Sequence, residues 1–89
     1  MNKRIYKYTL TVLSRQGLQL PLSAEILTVQ VQSDYLQLWA MVDVDEKQVK
    51  MHEITIYGTG QPLPDSPGKY IVTVQHSGLV WHVFESTRT

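Results

Sequence analysis

Apolar and polar residues alternate with a period of two along most of the chain, the pattern of strands with one buried face. Tyr6, Tyr8, Leu10 and Val12 alternate with Lys7, Thr9 and Thr11 and predict a first strand. Ser14-Arg15-Gln16-Gly17 reads as a turn, after which Leu18, Leu20 and Leu22 alternate with Gln19 and Pro21. Proline has no amide hydrogen to give to a ladder, so this second segment belongs at a sheet edge. Leu27, Val29 and Val31, set against Thr28, Gln30 and Gln32, predict a third strand closed by Ser33-Asp34.

The fourth segment, Tyr35 to Val42, is apolar on both faces. Leu36, Leu38, Ala40 and Val42 form one, and Tyr35, Trp39 and Met41 form the other, interrupted by Gln37. A strand of this kind is central or lies under a partner. A charged connection from Asp43 to Gln48 leads to another strand-like run, Val49 to Tyr57. A short helix over 45–51 is the competing reading, since Glu46, Lys47 and Gln48 are good helix formers, but the apolar residues there build no helical face. Gly58 to Gly68 holds three of the five glycines and three of the four prolines, the composition of a loop. Lys69 to His76, with Tyr70, Val72 and Val74 on one face, and Leu79 to Glu85 then form a hairpin through Ser77-Gly78. Six to seven short strands without a convincing helix predict an all-β fold, an antiparallel sandwich in preference to a small barrel.

The 89 residues are enough for one domain, 1–89, with 1–4 and 86–89 expected to fray. Eight Lys and Arg balance eight Asp and Glu, which argues against a nucleic-acid sleeve or an acidic tail. The absence of cysteine excludes disulfides, iron–sulfur clusters and Cys-ligated zinc. Basic residues near the N-terminus lead into an alternating pattern instead of the apolar run of a signal peptide. The longest apolar run, Leu38 to Val42, is far below the roughly 18 residues of a spanning helix. A soluble, cytoplasmic protein with no membrane association is the expectation.

Candidate chemistry is sparse. Gly58-Thr59-Gly60 followed by Gln61 invites comparison with an anion-binding loop, because glycines let backbone amides approach a phosphate. Pro62 and Pro64 follow, so the helix N-terminus of a dinucleotide fingerprint is missing and a structural turn is the simpler reading. His52, His76 and His82 have no metal-ligand spacing. Asp43, Asp45 and Glu46 lie in a charged connection, and no Ser stands in a nucleophile elbow. No catalytic, cofactor-binding or metal-binding residue is therefore expected, and no enzyme. Lys3, Arg4 and Lys7 cluster near Tyr6 and Tyr8, but the other cations are scattered, so nucleic acid is not the expected partner. Tyr35, Trp39 and Met41 are residue types enriched in interface cores and form the candidate interface, with a homodimer as the expected assembly.

Several segments resemble a family of small proteins from tailed phages and prophages. The matching residues run from Ala24 to Gln32 (Ala-Glu-Ile-Leu-Thr-Val-Gln-Val-Gln), Leu38 to Asp43 (Leu-Trp-Ala-Met-Val-Asp), Ile56 to Pro62 (Ile-Tyr-Gly-Thr-Gly-Gln-Pro), Lys69 to Ile71, and His82 to Glu85 (His-Val-Phe-Glu). The resemblance spans most of the chain and implies a cytosolic accessory role in a bacterial host, with no established activity attached. It implies a protein that binds and modulates or inhibits a bacterial host protein, a defence system being one such target. A ligand-sequestering or nucleotide-binding module using the Gly58–Gly60 loop is the alternative, and a virion component the third.

Overall fold

The structure is a computed structural model and describes residues 2–12 and 14–86. Seven strands follow one another: β1 (Lys3–Leu10), β2 (Arg15–Pro21), β3 (Glu25–Gln32), β4 (Tyr35–Asp43), β5 (Val49–Gly58), β6 (Lys69–His76) and β7 (Leu79–Glu85). They form two antiparallel sheets, one ordered β1-β4-β3 and the other β2-β5-β7-β6. The sheets pack face to face as a sandwich and do not close into a barrel. The thinnest extent is 15 Å, which is room for two layers and no third.

One face of each sheet supplies the core. Leu10, Val29, Leu36, Leu38, Ala40 and Val42 meet Leu20, Ile54, Ile56, Val74 and Val83, all buried. Tyr8 packs against this cluster from β1. Burial raises its phenol above the ordinary value of 10.0, with a further push from Tyr6. β4 takes the central place in its sheet that its two apolar faces predict, and β2, ending at Pro21, takes an edge. Both tight hairpins are of the type I′ kind: Ser33-Asp34 has φ of 52° and 69°, and Ser77-Gly78 has 53° and 77°.

Several expectations change. Arg15, Gln16 and Gly17 are not a turn but pair with Thr55, Ile54 and Glu53 of β5. The Gln16 amide closes the preceding connection instead, donating to the Thr11 carbonyl at 2.6 Å and accepting from the Thr11 N–H at 3.1 Å. β1 consequently stops at Leu10, leaving Val12 outside it. A bulge between Ile26 and Thr28 makes Leu27 the extra residue, so Ile26, and not Leu27, joins Val29 on the core side. A second bulge, between Tyr70 and Val72, sends Tyr70 to the face opposite Val72 and Val74. Lys3 and Arg4 are paired with Asp43 and Val42 within β1, while residues 87–89 of the expected frayed end lie outside the described residues. The segment after Asp43 is a turn, with the Asp43 side chain accepting from the Asp45 N–H at 3.0 Å, and the competing helix does not form.

Gly68 delivers the chain into β6. Its φ is 101°, and a Cβ there would lie 2.3 Å from the Glu85 carbonyl oxygen. Gly68→Ala is expected to cost about 3 kcal/mol or more, combining a forbidden backbone region with a backbone clash. Gly60→Ala, with a similar φ of 88° but open space around it, should cost only about 1 kcal/mol. Urea unfolding of the two variants checks this, and equal losses would show that the contact with Glu85 is not what fixes Gly68.

Candidate functional site

The three expected interface residues stand on the outer face of the three-stranded sheet, because the core takes the even-numbered side chains of β4. Ile5 and Lys7 of β1 stand opposite Met41 and Trp39, and Thr28 of β3 stands opposite Trp39 on the other side. Trp39 and Met41 are half-buried among these neighbours, whereas Ile5 is 59% exposed. Tyr35 is 61% exposed and sits apart, separated by Gln37. Gln37 is itself buried and accepts from the Thr9 hydroxyl at 2.8 Å. The Lys7 ammonium reaches Gln32 Oε1 at 2.9 Å. The structure therefore brings Trp39 and Met41 together with Ile5, a residue the sequence pattern did not single out, and leaves Tyr35 at the hairpin end.

Gly58, Thr59, Gly60 and Gln61 form one closed turn. The Gln61 N–H donates to the Gly58 carbonyl at 3.0 Å across Gly60, whose positive φ is the one a type II turn requires. The Gly58 N–H donates to Gln61 Oε1 at 2.9 Å, and the Thr59 N–H to the Val80 carbonyl at 3.2 Å. An anion cradle needs its amides free, and here those of Gly58, Thr59 and Gln61 are already committed within the protein. The Thr59 hydroxyl lies 2.8 Å from His82 Nε2, while His82 Nδ1 is 2.9 Å from the Thr73 hydroxyl. His82 thus pins the turn to β7 and β6.

A third place is invisible to sequence spacing. β3 and β6 are neighbours across the two sheets, and both bulges lie near their N-terminal ends. Between them is a cleft of about 320 Å³, lined by Glu25, His52, Lys69 and Glu85 with apolar Ile26 and Ile71. His52 is only 8% exposed, and its Nδ1 lies 2.5 Å from Glu85 Oε2. Among the described residues its Nε2 is buried without a partner. A proton on Nε2 would be an unpaired buried donor, so the geometry selects the tautomer with the proton on Nδ1, donated to Glu85. With Nε2 sealed from solvent, this imidazole is not placed to take a proton from a substrate. It anchors the Glu85 carboxylate at the wall of the cleft. His52 and Glu85 are 33 residues apart, and no local motif links them.

A family model matches residues 1–89. The chain belongs to DUF7352, a domain of unknown function. No curated protein and no solved structure matches it.

In this DUF7352 chain each histidine has its own partner: His52 has Glu85, His82 has the two threonine hydroxyls, and His76 Nε2 lies 2.8 Å from the Asp34 carbonyl oxygen. Among the described residues no group of three His, Cys, Asp or Glu side chains could hold a metal ion. Glu85→Ala is expected to destabilise the protein by about 2 kcal/mol, since it strands a buried N–H. Nitrogen NMR of the native protein should find the His52 proton on Nδ1. A spectrum with the proton on Nε2, or a Glu85→Ala variant as stable as the parent, would show that the pair is not the anchor described.

Proposed function

We propose that this DUF7352 protein is a non-enzymatic accessory protein that acts by binding another protein through the outer face of its three-stranded sheet. What supports the reading is the patch of Trp39, Met41 and Ile5 on a face that the second sheet does not cover. Aromatic and Met side chains set in a polar surround are the composition of an interface core, and the surround here is Lys7, Thr28 and Glu25. The sequence resemblance to small phage and prophage proteins supports a bacterial host protein as the partner and the bacterial cytoplasm as the place of action. No described helix is long and apolar enough to cross a membrane.

A second reading, a ligand-sequestering module, is favoured by the cleft between the two bulges and not by the Gly58–Gly60 turn. A metabolite held there at about 100 times its dissociation constant would raise stability by about 2.7 kcal/mol. A thermal-shift screen of purified protein separates this reading from the first.

The leading reading predicts that the tagged protein, drawn from a bacterial lysate, retains one host protein in stoichiometric amount. Trp39→Ser should weaken that complex by about 2 kcal/mol while costing less stability than binding. A homodimer formed through the same face would appear as a doubled native mass that Trp39→Ser returns to the monomer. A Trp39→Ser variant that keeps its partner but melts far lower would make Trp39 a folding residue and sink the assignment.

A further inference from the structure

β1 ends its sheet with one edge on β4 and, among the described residues, no strand on the other. β3 lies against β6 and β4 near β2, so the Lys3–Lys7 half of β1 projects past the second sheet while Tyr8 and Leu10 reach the core. Its burial agrees: Lys3 to Lys7 are exposed on both faces, and only Leu10 is fully buried. The phase of its ladder follows from two separate observations. The Val44 N–H donates to the Asn2 carbonyl at 3.0 Å, which makes that pair a hydrogen-bonded one. The two-residue Ser33-Asp34 hairpin closes on Gln32 and Tyr35, which commits the odd-numbered residues of β4 to β3 and the even-numbered ones to β1. By either route Arg4, Tyr6 and Tyr8 bond to β4, and the N–H and C=O groups of Lys3, Ile5 and Lys7 point to the free edge.

Three of the eight cations of the chain, Lys3, Arg4 and Lys7, fall in this strand, which contains no acid. Asp43 stands opposite Lys3, and Arg4 and Lys7 stand opposite Val42 and Trp39. Edge lysines repel a second copy of the same edge, and they attract an acidic strand. Resting on the reading that this protein binds a protein, we propose that β1 is the docking edge for an extended acidic segment of the partner. That segment adds as a fourth strand to the three-stranded sheet. Main-chain bonds to Lys3, Ile5 and Lys7 supply affinity, as in other strand additions. Ile5, with Trp39 and Met41 behind it, receives alternate apolar side chains on one face, and the overhang leaves room beside Arg4 and Tyr6 on the other.

The test is panning of a displayed random-peptide library against the immobilised full-length protein. Enriched peptides should alternate acidic with apolar or β-branched residues and should weaken as ionic strength rises. Ile5→Pro deletes an edge-facing N–H without touching the ladder to β4, a place where proline is tolerated. It should lower peptide affinity about tenfold or more while the far-ultraviolet spectrum is unchanged. A Lys3→Glu, Lys7→Glu double variant, which alters only exposed side chains, should do the same and guards against a misfolded proline variant. Peptides without acids, no enriched peptide, or affinity indifferent to both variants would overturn the proposal. A native dimer that Ile5→Pro dissolves would also overturn it, by giving the edge to a second copy. Loss of the host protein in Trp39→Ser with full retention in both β1 variants would leave the sheet-face reading standing and remove strand addition alone.

Discussion

The contact on which the molecule depends is the burial of the even-numbered face of β4 against the second sheet. Leu36, Leu38, Ala40 and Val42 are at most 1% exposed and share one cluster with Leu20, Ile54, Ile56 and Val83. Each large apolar side chain buried in this way contributes about 1.5–3 kcal/mol of transfer free energy. A register slip of one residue in β4 would exchange Leu38 and Ala40 for Trp39 and Met41, so the core sets the register and the register sets the outer face. Trp39 and Met41 stand on the outer face because this register commits them there, and Trp39 would overfill the place that Leu38 or Ala40 takes.

Most strands were legible because a single buried face leaves a period of two in the sequence. The bulges were not, since an extra residue moves the phase without changing composition. Leu27 alternates correctly with Val29 and Val31, yet Ile26 takes the core position, and Tyr70 leaves the face of Val72 and Val74 for the same reason. Ser14 to Gly17 looked like a turn because Ser14 and Gly17 are turn-forming types. What decides the matter is the Gln16 amide, a side chain acting at a distance of five residues. Of the candidate site, Trp39 and Met41 were readable from alternation on β4. Ile5 was not, because its place depends on which strand pairs with β4, and alternation assigns faces without assigning neighbours.

The same two bulges explain the cleft. A bulge bends its strand and increases local twist, and two of them facing each other on β3 and β6 open the seam where the sheets meet. Holding a carboxylate at such a seam is costly unless it is paired, and His52 does this from β5. Gly68 fits the arrangement, since only a residue without Cβ lets β6 begin against the Glu85 backbone. The Ser86 N–H donates to the Glu53 carbonyl at 2.9 Å and ties the end of β7 to β5 beside the same pair. Conformation, hydrogen bonding and packing therefore converge on Glu85 from three directions, although the residue is unremarkable in the sequence.

Sheet inequality accounts for the rest of the surface. Three strands set over four would ordinarily leave the larger sheet overhanging, but β3 aligned with β6 and β4 near β2 shifts the smaller sheet sideways, and its own edge strand projects. From Lys3 to Lys7, β1 then lacks cover on both faces and a neighbouring described strand on one edge, while Tyr8 and Leu10 reach the core. A strand in that position must be either guarded or used. Lys3 and Lys7 guard it against its own kind, which is all that solubility requires. Solubility does not require Ile5 at 59% exposure between them or Tyr6 at 47% on the opposite face, where polar residues would protect the edge better. The apolar pair between the cations is the feature that a guarded edge leaves unexplained and that an edge built for an acidic strand accounts for.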